Sequence, residues 1–154
     1  MKLKNNLTMT QEEKLLLLKD LCSRLPYGVK VEVTNTQGYH HDNVAKKGEK
    51  TIDTLKGFDS SHKCFTIYHD NLLDWDWTCN EIDVEDIKPY LFPLSSMTAE
   101  QRREYTHIAN NYGNIASSQL TGMTVQDWFD KNHIDYRGLI PKGLAKDATG
   151  LNIY

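Results

Sequence analysis

In VKVEVT, residues 29–34, apolar and polar side chains alternate, and this pattern is the clearest indication of a β-sheet in the chain. A period of two is typical of a β-strand with one buried and one solvent-facing side. Further strands are predicted downstream, separated by polar turns, at 51–58, 63–69, 75–79, 82–84 and 90–92. About four or five short strands of this kind favour a curled antiparallel sheet or a small barrel.

Helices are predicted on both sides of the strand region. Thr10 begins a capping box, and leucines at helical spacing follow it as far as Pro26. Thr98 begins a second capping box, and Thr124 can cap a third helix. The tail, 135–154, has several Gly and a Pro and is predicted to be mostly irregular. We therefore expect one α+β domain over residues 1–154, with an N-terminal helix, a central sheet and two C-terminal helices.

Composition narrows the classes of partner. The chain has 154 residues, 39% of them hydrophobic, and a formal net charge of −3. No global basic field attracts nucleic acid or an anionic membrane, so both are disfavoured as partners. The longest apolar run, Leu15–Leu18, is far shorter than a membrane span, and no signal-peptide pattern is present. Three widely spaced cysteines favour a reducing compartment, and we expect a cytoplasmic protein.

Motifs for catalysis or metal binding are missing from the sequence. A structural zinc site needs cysteines or histidines that are a few residues apart. Here the three cysteines are widely spaced and His40 and His41 are adjacent, so neither type of pair has that spacing. Nucleophile-elbow, zinc-protease and phosphate-loop motifs are also missing. Asp74 and Asp76 flank Trp75 and are candidates for acid–base chemistry, but such alternation is typical of the solvent face of a strand. We therefore assign no catalytic residue, metal ligand or cofactor.

Aromatic and cationic residues give a better indication of binding. Aromatic rings stack on nucleobases, and cationic side chains neutralise phosphates, so their combination suits a nucleotide-like ligand. The candidate ligand-binding residues are Tyr39, His40, Trp75, Trp77, Arg102, Tyr136, Arg137 and Lys142. The alternative is that the tryptophans are core residues of a strand and the cations are solvated.

The segment 135–145 has specialised backbone positions together with polar side chains. Its sequence, DYRGLIPKGLA, places two Gly and a Pro among Tyr, Arg and Lys. An ordered irregular segment of this kind either closes over a ligand or docks on a partner. Alternatively, Leu139, Ile140 and Leu144 attach the tail to the sheet, and this is the interpretation that we favour.

Several strings resemble a known group of proteins. LPYGV at 25–29, DIKPYLFPLSSMT at 86–98 and DYRGLIPKGLA at 135–145 are similar to small uncharacterised proteins of phages and prophages of gut bacteria. The resemblance covers most of the chain except the loop between Asn35 and Lys50. These motifs are distinctive of the family but have no known chemistry, so the resemblance implies no catalytic residue.

The resemblance leads to three functional hypotheses. Small phage accessory proteins often act on host systems by binding, so the first is a non-enzymatic protein that counters host defence by sequestering a small nucleotide-like signal. Such a protein is expected to form a homo-oligomer in the host cytosol, because small domains often build deep pockets between protomers. The second hypothesis is an interaction module that inhibits a host or phage protein. The third is an enzyme that degrades the signal, using Asp74, Asp76 and a histidine.

Overall fold

The computed structural model describes residues 8–38, 45–68, 78–111 and 123–154. Some of the predicted residues lie outside these ranges: Tyr39, His40, His41, Asp74, Trp75, Asp76 and Trp77.

The first helix, α1, spans Gln11–Arg24 and begins with the predicted capping box. The Thr10 hydroxyl accepts a hydrogen bond from the Glu13 amide at 3.2 Å, and the Glu13 carboxylate accepts one from the Thr10 amide at 2.8 Å. Each side chain thus satisfies a backbone donor that the helix leaves free. Leu17 and Leu21 on its inner side are fully buried.

The strands form one sheet that confirms the predicted α+β class. They are β1 (Lys30–Thr34), β2 (Lys50–Asp59), β3 (Cys64–Tyr68), β4 (Thr78–Ile82), β5 (Ile87–Pro93), β6 (Ile134–Asp135) and β7 (Lys146–Asp147). Their order is β4-β3-β2-β1-β5-β6, with β7 also on β5. Strands β1 to β5 pair antiparallel, whereas β6 and β7 run parallel to β5.

The described part of the sheet does not close into the small barrel that was one of two expectations. Strand β4 pairs with β3 alone, and the two-residue strands β6 and β7 finish the opposite side. The sheet is therefore open and mixed rather than purely antiparallel. The predicted strand at 82–84 is not a separate strand. Ile82 is the last residue of β4, and a 3₁₀ turn spans Val84–Asp86.

The main core lies between α1 and one side of the sheet. Val31 and Val33 of β1 are fully buried there together with Leu17 and Leu21 of α1. Because side chains alternate along a strand, Lys30 and Glu32 lie on the opposite side of the sheet. We call that opposite side the polar face.

Two later helices build a second apolar cluster. Helix α2 spans Ala99–Asn110 and helix α3 spans Val125–Lys131, and each begins with a capping box, at Thr98 and Thr124 respectively. Trp128 and Phe129 of α3 are buried against Ile134, and the Tyr105 ring of α2 lies 5.2 Å from that of Phe129 between centroids. Aromatic packing of this kind holds α2 against α3.

The segment after α3 is attached to the core, as the favoured interpretation predicted. The Asp135 carboxylate accepts hydrogen bonds from the Leu139 and Ile140 amides, both at 2.8 Å. This fixes a turn that inserts Leu139 and Leu144 among the buried side chains of the main core. Further on, the Tyr154 hydroxyl donates to the Tyr90 carbonyl at 2.7 Å and accepts from the Lys30 amide at 3.0 Å, so it links β5 to β1.

Candidate functional site

Cross-strand pairing collects basic side chains on the polar face. Lys30 pairs with Thr54 and Glu32 with Ile52, while Lys88 of β5 lies opposite Glu32 on the other side of β1. Residues directly opposite each other in an antiparallel pair share a face. The side chains that define the polar face are Lys30, Glu32, Lys50, Ile52, Thr54, Lys56, Tyr68, Lys88 and Lys146.

One group of charges on the polar face surrounds Glu32. The Lys50 ammonium donates to one carboxylate oxygen at 3.0 Å, and the Lys146 ammonium lies 3.5 Å from the other. The Glu32 side chain is 11% exposed, whereas those of Lys50 and Lys146 are 56% and 42% exposed. Burial raises the pKa of the Glu32 carboxyl, but the hydrogen bonds and charges of the two lysines outweigh it, and the pKa lies below its ordinary value. Glu32 is therefore ionised at neutral pH and positions two accessible ammonium groups.

A second group of charges lies around Tyr68. The Lys30 ammonium donates to the Thr54 hydroxyl at 2.8 Å, and Thr54 pairs with Tyr68 across β2 and β3. The Lys56 ammonium lies over the Tyr68 ring, 5.4 Å from its centroid. A cation at this distance is attracted by the electron-rich face of the ring. This group contains the two cations Lys30 and Lys56.

The charge balance of the polar face is opposite to that of the whole chain. Among the described residues that define this face are the lysines Lys30, Lys50, Lys56, Lys88 and Lys146 and the carboxylate Glu32. The chain as a whole has a formal net charge of −3. Charges of one sign collected on a surface produce a local potential that attracts the opposite sign, whatever the net charge. The polar face can therefore bind an anion.

The predicted site residue Arg137 belongs to a buried network built around Arg24. The fully buried Arg24 guanidinium donates to both oxygens of Asp20, at 2.9 and 3.0 Å, and to the Ile134 carbonyl at 2.8 Å. Arg137 donates to the same Asp20 carboxylate at 2.8 Å, and its side chain is 9% exposed. These bonds join α1 to the segment after α3, so both arginines serve the fold.

The fourth charge of this network, Asp130, is incompletely satisfied. Its Oδ1 lies 3.8 Å from Arg24 and 3.7 Å from Arg137, too far for hydrogen bonds. Both Asp130 Oδ1 and Arg137 Nη2 are buried without a hydrogen-bond partner in the part of the chain that the structure describes. Burial raises the pKa of the Asp130 carboxyl, and the two arginines only partly offset this effect.

The predicted site residue Tyr136 packs directly over this network. The Arg137 guanidinium lies 4.4 Å from the Tyr136 ring centroid, and the Phe129 ring stacks on Tyr136 at 5.1 Å. The Tyr136 hydroxyl accepts a hydrogen bond from Gln126 at 3.0 Å, and burial raises its pKa. Tyr136 also lines a cleft of about 590 Å³ together with Ala109, Val125, Gln126 and Phe129. This lining has no charged side chain among its described residues, so it offers no phosphate contact.

The other predicted site residues are not brought to a common place. Arg102 is exposed on α2, and Lys142 is exposed beside a separate depression that Thr10 and Glu13 also line. Tyr136 and Arg137 are adjacent, and the remaining candidates, Tyr39, His40, Trp75 and Trp77, lie outside the described residues.

The lysines of the polar face were not predicted as site residues from the sequence. The alternation in 29–34 placed Lys30 and Glu32 together on the outer side of β1, but nothing in it gives the register of β2 or β5 against β1. Lys146 lies far away in the sequence and reaches Glu32 only because β7 pairs with β5. Charge alternation within β1 was the available signal, and it was interpreted as an ordinary solvent face.

No family model, curated protein or solved structure matches this chain. Within the described ranges, no three or more His, Cys, Asp or Glu side chains are grouped so as to hold a metal ion. In the same ranges, no helix has both the length and the apolar character needed to cross a membrane.

Proposed function

We propose that this chain is a non-enzymatic phage accessory protein that counters host defence by binding and sequestering a small nucleotide-like signal in the host cytosol. The observation that supports this function best is the collection of lysines on the polar face of a chain with net negative charge. The phage context rests on the sequence resemblance.

Positioned cations favour the binding of phosphate groups. The ammonium groups of Lys50 and Lys146 are already oriented by Glu32, and that of Lys30 by Thr54, before any ligand arrives. Side chains that are ordered in advance lose less conformational entropy on binding. Because lysine ammonium groups interact as point charges, they suit phosphate oxygens in many orientations.

Sequestration needs no catalytic group on this surface. The carboxylate of the polar face, Glu32, has a lowered pKa and hydrogen bonds to lysine, so it is ionised at neutral pH and makes a poor general acid. Its role in the proposal is to hold the lysines in place. In this proposal a ligand bound here is retained unchanged.

The experiment that tests this function is native mass spectrometry of the protein purified from bacteria with an active nucleotide-based defence system. We expect extra mass that is lost on denaturation and matches an unmodified nucleotide, together with the mass of the oligomer. A bare protein mass in every such background would contradict sequestration of those signals. Recovery of a cleaved nucleotide would contradict the non-enzymatic proposal.

A pair of variants shows whether the polar face is responsible. The double substitution Lys50→Gln and Lys56→Gln removes two charges from the polar face. The control substitution Lys19→Gln and Lys131→Gln removes the same charge from exposed positions on α1 and α3. We expect the first variant to lose the bound mass and the control to keep it. Equal retention by both variants would place the ligand elsewhere.

A further inference from the structure

The side chain of Tyr154 lies where the pairing between β1 and β5 stops. In the register of these strands Val31 lies opposite Pro89, so one further step places Lys30 opposite Tyr90. There the Tyr154 hydroxyl accepts a hydrogen bond from the Lys30 amide at 3.0 Å and donates one to the Tyr90 carbonyl at 2.7 Å. A backbone donor on β1 and a backbone acceptor on β5 thus share one side-chain hydroxyl.

The ring of Tyr154 covers an aromatic surface. It stacks on the His133 ring with centroids 3.9 Å apart and 14° between the planes, and the Phe92 ring lies 5.8 Å away. His133 is 9% exposed, whereas Tyr154 is 44% exposed, so the tyrosine is the outer member of the stack. Movement of Tyr154 away from this position would therefore open the flat side of His133 to a planar ring from solvent.

The same contacts suit a nucleobase. Nucleobases have a flat face that stacks on aromatic rings, and they have donors and acceptors side by side on one edge, as in the amino group and ring nitrogen of adenine. The Lys30 amide can donate to a ring nitrogen, and the Tyr90 carbonyl can accept from an amino group. Tyr154 now makes both hydrogen bonds and takes the stacking position on His133. We call the space that it occupies, between these three groups, the base slot.

The base slot lies beside the lysines to which the proposed function assigns phosphate binding. Tyr90 pairs with Lys146 of β7 on the side away from β1, and neighbouring strands are about 4.8 Å apart. The Lys146 ammonium lies 3.5 Å from the Glu32 carboxylate, and Glu32 is two residues from Lys30 on β1, a distance of about 7 Å. A ribose can span the short distance from a base in the slot to a phosphate at Lys146.

We propose that Tyr154 occupies a nucleobase slot and is displaced by the base of the ligand. The base then stacks on His133 and takes over both backbone hydrogen bonds, while the phosphate lies near Lys146. This proposal rests on the proposed function and adds to it the position of the base and a means of regulation. Because Tyr154 belongs to the same chain, it competes with the ligand at a high effective concentration and weakens nucleotide binding.

Isothermal titration calorimetry with AMP and ribose 5-phosphate tests this proposal, because these probes share a phosphate and a sugar and differ in the base. Tyr154→Ala opens the slot, so we expect it to bind AMP several-fold more tightly than the wild type does and to bind ribose 5-phosphate as the wild type does. The matched control Leu151→Ala changes an exposed residue of the same segment and should alter neither affinity.

A second measurement uses the wild type and does not depend on how well a variant folds. In the NMR spectrum, saturating AMP should abolish the nuclear Overhauser effect between the His133 and Tyr154 rings, whereas ribose 5-phosphate should leave it in place. An Overhauser effect that persists with AMP bound would overturn the displacement of Tyr154.

The calorimetric outcomes separate failure of this proposal from failure of the proposed function. Equal effects of Tyr154→Ala on the two probes, or weaker binding of AMP alone, would overturn the base slot and leave anion binding by the polar face intact. No heat from either probe with either protein would overturn both the base slot and the proposed function for adenine nucleotides.

Discussion

Replacing His133 with Asn should remove an acid-dependent loss of stability. The His133 side chain is buried, its ring stacks on that of Tyr154 with centroids 3.9 Å apart, and its Nδ1 has no hydrogen-bond partner among the described residues. Burial, and then the nearby Arg24 charge, lowers the pKa of His133 to about 4 from 6.5. The imidazole is therefore neutral in the folded protein over most of the acidic range.

The size of the effect follows from this shift. In the unfolded chain His133 is protonated below about pH 6.5, whereas in the folded chain it stays neutral until about pH 4. Its contribution to the free energy of unfolding is complete above pH 6.5 and is lost as the pH falls through this window. The loss amounts to about 2 kcal/mol between pH 7.5 and pH 5, and about 3 kcal/mol below pH 4.

Urea unfolding of the wild type and of His133→Asn at a series of pH values from 7.5 to 4.5 measures this contribution. Asn suits the site because His133 has φ of +56°, a left-handed conformation that Asn tolerates better than most residues. Other groups, including Asp130 and Glu32, titrate in both proteins, so the difference between the two curves isolates His133. Curves that stay parallel to within about 0.5 kcal/mol would refute the reasoning, because the histidine would then titrate alike in both states.

Three further predictions concern stability and are tested by urea unfolding at pH 7.5. Arg24→Met removes two hydrogen bonds to the buried Asp20 carboxylate and should reduce the free energy of unfolding by about 3–5 kcal/mol. An unchanged free energy of unfolding would contradict a structural role for this network. Asp135→Ala removes the acceptor of two backbone amides and should reduce the free energy of unfolding by about 2–4 kcal/mol. A reduction below about 0.5 kcal/mol, as small as that of an ordinary surface change, would contradict a role for Asp135 in fixing the turn. Leu21→Ala opens a cavity in the main core and should cost about 2–5 kcal/mol, whereas the exposed control Lys19→Gln should stay within about 0.5 kcal/mol.

Local patterns in the sequence were sufficient to predict α1, α2 and β1. The capping boxes at Thr10 and Thr98 are local hydrogen-bond patterns, so their residue types predict where α1 and α2 begin. The alternation in 29–34 predicts β1 for the same reason, because one strand needs only one buried side.

Contacts between distant parts of the chain could not be predicted in this way. Strands β6 and β7 are two residues long, too short for any periodicity, and they exist because the segment after α3 packs along β5. Arg137 was predicted to contact a ligand because a cation next to an aromatic ring suits one. The structure places it against Asp20, 117 positions away in sequence. Burial of a charge depends on such long-range pairing, which one sequence does not reveal.

A ¹⁵N-resolved NMR titration of the protein with ADP shows directly whether the polar face binds a nucleotide. We predict shift changes in the amides of β1, β2, β3 and β7 around Glu32 and Tyr68. The same peaks should not shift when the Lys50→Gln and Lys56→Gln double variant is titrated. Shift changes confined to the cleft beside Tyr136, or no change at saturating ADP, would contradict nucleotide binding by the polar face.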